Sequence, residues 1–371
     1  MAKYRVAVIG HTGRGNFGHG IDRVWLDVPE CEIVAVADAD EQGRMAAVKR
    51  LSHGGSTPQA FAEYDQMLTK TKPDIVAVCP RHLDQHHAMI LAALESGAHV
   101  YAEKPFCRTP AEADELVSAC EKQKRKLAIA HQTRWSPKLH VVRQMIEDGA
   151  IGDIVELRGR GKEDRRGGGE DLWVLGSHVL NLMQYFGGDP TACSARVLWQ
   201  GKPVTKDDVF DGPEGIGPLA GDNVAAMYEL PDGVMGYFNS VRNAGPGGTS
   251  RFGLRIYGTK GCIDVLTGHL PPMHYLPDPL WAPGRSSKEW LPISSAGPAK
   301  EEPMQDRGLH GGNVLAVKDL IAAIEEDRQP ECNVYEARWT VEMIAGVFES
   351  HRQGRPVKLP LENRDNPLTK L

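Results

Sequence analysis

Up to about residue 130 the chain alternates continuous apolar runs with stretches of mixed polarity. The runs are "YRVAVIG", "EIVAVAD", "DIVAVCP", "AHVYAE" and "KLAIAH", dominated by Val, Ile and Ala. A run that is apolar at nearly every position suits a strand buried on both faces, and most of the intervals read as helices. That order predicts a parallel sheet covered on both sides. One helix start is well marked, because Thr109, Pro110 and Glu112 give a capping box with proline at the first helical position.

Beyond residue 130 the rhythm changes. "SPKLHVVRQMIEDG" reads as a helix, "DIVELRGRG" as a strand, and residues 172–187 as another helix. Then come β-rich runs such as "CSARVLW", "NVAAMYEL", "GVMGYFNSV" and "CIDVL", with a hairpin turn at Pro231-Asp232-Gly233. These predict an antiparallel sheet of α+β character. Residues 267–307 are proline-rich and aperiodic and are expected to form a long loop, a lid or a subunit contact. Two amphipathic helices close the chain, the second capped by Asn333 with Glu336 three residues on and stopping near Gly354. The fold class is therefore α/β over 1–130, followed by an α+β domain over 131–371 whose last helices are free to pack back on the first.

Composition narrows the function. A length of 371 residues suits two domains. A net charge of −6, without any Lys/Arg-rich run, argues against a nucleic-acid partner. The apolar stretches fall short of the roughly 20 residues that a membrane helix needs. A strand that begins by Tyr4 leaves no room for a leader, and seven scattered cysteines without a CxxC read as reduced thiols, so a cytoplasmic location and no metal site are expected.

The first strand ends in "GHTGRGNFGHG". Gly10, Gly13, Gly15 and Gly18 permit tight turns and close approach of a pyrophosphate, and a following helix would present N–H groups to it. Two registers compete. Gly13-x-Gly15-x-x-Gly18 has all three glycines but starts three residues beyond the strand. Gly10-x-Thr12-x-x-Gly15 starts where the strand turns, with Thr12 at the second glycine, and is preferred for that reason. Asp38 closes the second strand, placed for the ribose hydroxyls of NAD and unfavourable to a 2′-phosphate. Arg14, in the loop itself, leaves the choice of NAD over NADP open. Pro80, ending "DIVAVCP", falls on the same edge of the sheet.

"HVYAEKPFC" then ends a buried strand on Glu103, Lys104 and Pro105. Ligands of parallel sheets sit at such carboxyl ends, and proline fixes the direction of the turn. Lys104 there is suited to exchange a hydrogen bond or proton with a hydroxyl next to a nicotinamide. The local residues alone admit a salt-bridged surface lysine equally well.

"DIVAVCP", "LAALESGAHVYAEKP", "HQTRWSP" and "DGAIGDIVELRG", with the tail "ESHRQGRPVKLPL", together resemble the glucose-fructose oxidoreductase/inositol dehydrogenase/rhizopine-catabolism (Gfo/Idh/MocA) family over essentially the whole chain. The resemblance implies an NAD(P)-binding Rossmann domain, then a large open, mostly antiparallel sheet whose face carries substrate. It implies that Lys104 is catalytic, that the Lys104–Pro105 bond is cis, and that Glu103 lies beside the nicotinamide ribose. It also implies a sugar, cyclitol or derivative as substrate and a homodimer or homotetramer.

In "GGGEDLWVLGSHVLNLM" His178 matches the family histidine, able to exchange a proton near neutral pH. The family aspartate four residues earlier is replaced by Val174. Asp171 reads as a helix N-cap that remains within reach of substrate from the glycine loop, and Asn181 as a partner for a sugar hydroxyl. Arg134 and Trp135 match an arginine–aromatic pair, the first structural or linking, the second lining the sugar site or packing. Glu163, Asp164, Arg165 and Arg166 read as a solvated charge run. His82, His86 and His87 have metal-like spacing, but the resemblance makes His86 structural. His310 and Asn313 are further substrate candidates.

Three functions follow: hydride transfer at a carbinol of a sugar or cyclitol, redox-neutral glycoside cleavage through a transient keto-sugar, or a cofactor-binding regulator without catalysis.

Overall fold

Tyr4–Ile9 (β1) lies in the middle of a six-stranded parallel sheet in the computed structural model, which describes residues 4–245 and 251–371. The other strands are β2 (Cys31–Ala37), β3 (Gln59–Phe61), β4 (Ile75–Val78), β5 (His99–Ala102) and β6 (Leu127–Ile129), in spatial order β3-β2-β1-β4-β5-β6. Val6, Val8, Val76, Ala77, Val100 and Ala128 are fully buried, as expected for apolar runs sandwiched between helix layers. Those helices are α1 (Glu41–Leu51), α2 (Tyr64–Thr71), α3 (His86–Glu95) and α4 (Pro110–Gln123). The outer edge of β6 is occupied, because Ile129 N–H donates to the Cys332 carbonyl at 3.1 Å.

Two expectations are corrected in this unit. No α-helix follows β1: residues 12–23 form successive turns, and only a 3₁₀ helix at Val24–Asp27 appears. Positive φ values at Gly13, Gly15, Asn16, Gly18 and Gly20 are incompatible with right-handed helix. At α4, Thr109 Oγ accepts from Glu112 N at 3.1 Å, but the Glu112 carboxylate turns to Arg108, taking its N–H at 2.8 Å. Half of the capping box is therefore spent on the residue before the cap.

The second part of the chain contributes α5 (Pro137–Glu147), β7 (Ile154–Arg160), α6 (Gly169–Val174), α7 (Gly176–Gly187), β8 (Ala192–Trp199) and β9 (Lys202–Pro203). A small pair, β10 (Phe210–Gly212) and β11 (Gly217–Leu219), precedes β12 (Asn223–Glu229), β13 (Met235–Val241), β14 (Gly253–Gly258) and β15 (Cys262–Leu266). After these come β16 (Met273–Leu276), α8 (Pro283–Ser286), β17 (Leu291–Ser294), β18 (Gly297–Pro298), α9 (Gly308–Glu325), α10 (Val334–Gln353) and β19 (Val357–Lys358). Eleven strands form one sheet in the order β18-β17-β16-β15-β14-β7-β13-β12-β8-β19, with β9 on β8. Among the described residues, only the β7–β13 pair of this sheet is parallel. The hairpin between β12 and β13 turns at Asp232 and Gly233, both at positive φ.

The segment 267–307 is not a structureless loop. β16 pairs with β15 from Cys262↔Leu276 to Val265↔Met273, and β17 and β18 extend the sheet further. Pro272 and Pro277 flank β16, and Pro292 and Pro298 lie in the short strands β17 and β18, where a missing N–H breaks few ladder bonds. The Asn333–Glu336 box caps α10 as expected, with Asn333 N donating to Glu336 at 3.2 Å and Glu336 N to Asn333 Oδ1 at 3.3 Å.

Contacts divide the chain into one unit of residues 1–131, 213–216 and 309–338, and a second of 132–212, 217–308 and 339–371. Among the described residues, no helix is long and apolar enough to cross a membrane.

Candidate active site

The glycine-rich loop is held against the ends of β4 and β5 within the first unit. Gly15, at φ +83°, lies on the backbone of Arg81, and Gly18, at φ +62°, lies on the Cys79 carbonyl and the Glu103 side chain. A side chain at either place would overlap fixed atoms, so these two glycines are required by close approach. The loop turns most of its N–H groups inward: Gly13 N donates to Asn16 Oδ1, Arg14 N and Asn16 N to the His11 carbonyl, and Gly18 N to the Gly15 carbonyl. Thr12 N and Thr12 Oγ both donate to Asp38, the hydroxyl at 2.7 Å. Arg14 reaches Asp84 at 2.5 Å.

Beside this loop a cavity of about 110 Å³ is lined by Gly10, His11, Asp38, Ala39, Glu63 and Gln85. It lies outside the carboxyl ends of β1 and β2, where parallel sheets take dinucleotides. The tight glycines, the cavity and the acid at its wall fit NAD. The missing helix does not remove that fit, although it takes away a helix dipole and most loop N–H groups are already bonded within the loop or to Asp38.

At the end of β5 Lys104 is 4% exposed and its bond to Pro105 is cis, as the resemblance implies. Glu103 is fully buried. Its Oε1 accepts from His19 N at 2.8 Å and faces His19 Nδ1 at 2.5 Å, while Oε2 accepts from Lys104 N at 2.9 Å. Burial pushes this carboxyl up, but the hydrogen bonds and charge of His19, with the Lys104 ammonium, outweigh it and hold the group at about 2. His86, also fully buried, sets its two ring nitrogens 2.8 Å from the Pro105 carbonyl and 2.5 Å from the Pro80 carbonyl. It thereby ties together the strand ends that carry Pro80 and Lys104. The sequence gives no local signal for His19 or for this bracing by His86, since both act on residues remote in the chain.

Two weaker candidates have structural partners in the same unit. Asn313 is fully buried and accepts from Tyr101 Oη at 2.7 Å, and His310 pairs with Asp27 at 2.8 Å.

In the second unit His178 sits on α7, 9% exposed, edge-on to Phe252 with ring centroids 6.2 Å apart. Val174 ends α6, and the backbone breaks at Leu175, at φ −120°, before α7 begins. Positions 174 and 178 therefore stand on two helices, not one turn apart on a single helix. Asp171 is not an N-cap: Gly168 holds that position, and Asp171 is the third residue of α6. It is fully buried, accepting from Ser240 Oγ at 2.5 Å and Glu163 N at 3.0 Å, and burial pushes its carboxyl up despite these donors. Glu163, expected in a solvated run, is 1% exposed and accepts from Arg160 at 2.6 Å and Val241 N at 3.1 Å. Two arginines flank it, because Arg251 also approaches to 3.1 Å, so the buried charge is compensated. Asp164 pairs with Arg166 at 2.7 Å.

Arg134 and Asn181 come together: Arg134 Nη1 donates to Asn181 Oδ1 at 3.1 Å, and Asn181 Nδ2 to Thr340 Oγ at 3.3 Å. The Arg134 guanidinium also stacks 4.0 Å over the Tyr185 ring. Trp135 is 3% exposed in the same 3₁₀ turn.

Comparison with known proteins accords with this geometry. Residues 4–131 match a model described as an oxidoreductase family with an NAD-binding Rossmann fold, and residues 139–264 match the Gfo/Idh/MocA C-terminal domain. A levoglucosan dehydrogenase of Pseudarthrobacter phenanthrenivorans is 27% identical over 255 residues, 62% of this chain and 63% of the relative. A D-glucoside 3-dehydrogenase of Escherichia coli is 28% identical over 208 residues, 51% of this chain and 56% of the relative. The matched stretch thus spans less than two thirds of either protein. A solved levoglucosan dehydrogenase in complex with NADH and levoglucosan superposes with a TM-score of 0.77 at 19% identity, covering 96% of this chain and 100% of that one. Two adjoining family models in the expected order, on a six-stranded dinucleotide sheet and a large open sheet, lead to one conclusion: the chain belongs to the Gfo/Idh/MocA oxidoreductase family.

Proposed function

We propose that the protein is an NAD-dependent oxidoreductase, with NADP use left open, acting at a carbinol carbon of a sugar, cyclitol or sugar derivative. The observation that carries this reading is Lys104, a buried lysine at the carboxyl end of β5, its backbone N–H held by a fully buried carboxylate. NAD, when bound, supplies the hydride acceptor or donor. Gly10, Thr12, Gly13, Arg14, Gly15 and Pro80 line its place, and Asp38 meets the ribose hydroxyls. Lys104 holds the substrate hydroxyl oxygen and passes its proton, with the depressed Glu103 carboxyl keeping negative charge beside the turn at working pH. His178 is the second proton carrier, and Asp171, Asn181, Arg134 and Trp135 shape the second unit's contribution to binding.

The test is NADH absorbance across a panel of polyols, aldoses and glycosides, with the Lys104→Ala variant alongside. Turnover in the parent and its loss in the variant, with NADH affinity kept, are expected. Full activity in the variant would remove Lys104 from the mechanism.

A second reading, redox-neutral cleavage of a glycoside, is favoured by the substitution and helix break at Val174 and by the engagement of Asp171 with Ser240. Neither leaves the family's acid one turn before His178. Product release without net NADH, from protein that retains its cofactor through dialysis, would mark that chemistry.

A further inference from the structure

At the second glycine position of its dinucleotide fingerprint this chain carries Thr12, and the structure shows what that side chain does. Thr12 N–H lies 3.0 Å from Asp38 Oδ2 and 3.2 Å from Oδ1, and the Thr12 hydroxyl donates to Oδ2 at 2.7 Å. Asp40 N–H supplies a third donor group, at 3.0 Å from Oδ1. A carboxylate offers about four lone-pair sites, so Asp38 keeps room for roughly one more donor. It is 1% exposed and lines the cavity together with Gly10 and His11.

The added Thr12 side chain has a matching omission. Gly43 lies inside α1, where glycine costs helix stability relative to alanine. A methyl group there would overlap the Thr12 hydroxyl. Thr12 and Gly43 are therefore a complementary pair that keeps the hydroxyl on Asp38.

We infer that Thr12 is a positioning residue for cofactor selectivity. It locks the Asp38 carboxylate at the adenosine end of the cavity, with one acceptor site for a ribose hydroxyl and a fixed negative charge against a 2′-phosphate. A ribose hydroxyl brings a donor to that site; a phosphate brings none and meets like charge. This rests on the cofactor reading above.

The experiment measures dissociation constants of NADH and NADPH by calorimetry for the parent, Thr12→Val, Thr12→Ser and Gly43→Ala, with circular dichroism as the folding control. Thr12→Val should lower the NADH-over-NADPH preference about tenfold, the scale of one hydrogen bond to a charged group. Thr12→Ser should hold the parent preference. Gly43→Ala raises helix propensity yet should reproduce the Thr12→Val change, which keeps the idea testable if the valine variant fails to fold. An unchanged preference in folded Gly43→Ala or Thr12→Val overturns the lock alone. A parent that binds neither nucleotide overturns the cofactor reading and the lock with it.

Discussion

Glu103, fully buried, and His19, part-exposed, form a pair in which Oε1 accepts the His19 backbone N–H at 2.8 Å and faces its ring Nδ1 at 2.5 Å. Through it the glycine loop is fastened to the strand end that carries Lys104. Removing the Glu103 carboxylate leaves the Lys104 N–H buried and the part-exposed His19 donors without their acceptor, at a cost of about 1–3 kcal/mol. Glu103→Ala is expected to lose that much in urea unfolding, and Glu103→Gln less. Because the folded carboxyl titrates at about 2 against an ordinary 4.5, its contribution is complete above pH 4.5. It is lost as pH falls from 4.5 toward 2. An acid-unfolding curve that is unchanged in Glu103→Gln would refute this.

His99 gives a second acid-sensitive step at higher pH. It is 9% exposed, its Nδ1 accepts from Lys126 N at 2.9 Å, and burial followed by Arg125 and Lys126 lowers its ring to about 4 from 6.5. The folded state therefore holds the ring neutral while the unfolded chain takes up the proton first. Stability from this group is complete above pH 6.5 and declines as pH drops toward 4. The Tm of the parent should fall between pH 7 and 5 more steeply than that of His99→Asn, which retains an acceptor but has no titrating ring.

His86 predicts a separation of stability from chemistry. Its ring meets the carbonyls of Pro80 and Pro105, and His86→Leu leaves two buried acceptors without it, at about 1–3 kcal/mol each before relaxation. In folded protein at low temperature, kcat is expected to drop more than nucleotide affinity, because the Lys104 turn loses its brace while the cavity beside Asp38 does not. Equal losses in both would assign His86 to general stability alone.

In the second unit, Ser240 joins the glycine run to Asp171: its hydroxyl accepts from Gly168 N at 3.0 Å and donates to Asp171 at 2.5 Å. Ser240→Ala should cost about 2 kcal/mol by denaturant titration, through loss of both bonds in a buried place. Gly161→Ala should act on the same acid by another route, since an added methyl would overlap Asp171 and Ser240. A raised KM with little change in kcat is the expected kinetic result for both.

The resemblance implies a homodimer or homotetramer, and we propose that copies of the chain meet on the face of the large sheet that carries Arg158 and Arg255, whose side chains are 58% and 43% exposed. Sedimentation should report a dimer or tetramer, and Arg158→Glu with Arg255→Glu should shift it toward monomer. A parent that sediments as monomer throughout removes the proposal.

Five of the six strands of the first sheet could be read from sequence because each is an apolar run rich in Val, Ile and Ala, and burial on both faces admits little else; β3, the short edge strand Gln59–Phe61, is exposed and carries no such run. The Asn333 cap and the Asp232-Gly233 turn were equally readable, since both are local chemistry between residues a few positions apart. Segment 267–307 was not: a strand at the margin of a sheet is specified by its partner's free N–H and C=O groups, and its own prolines argue against it. The glycine loop misled for a related reason. A glycine fingerprint after a strand implies a following helix, while positive φ at Gly13, Gly15, Asn16, Gly18 and Gly20 takes the backbone elsewhere.

By itself the sequence determined the alternation of strands and helices, the placing of Gly10, Asp38 and Lys104 at strand ends, and the change to an antiparallel domain after residue 130. Those are properties of periodicity and turn chemistry, which act over a few residues. Only the tertiary structure decided that His19 meets Glu103, that His86 bridges Pro80 and Pro105, and that Asp171 turns to Ser240. Each of those joins buried polar groups that must find a partner when water is excluded, and the partner is chosen by which chain segments the packed core brings within 3 Å.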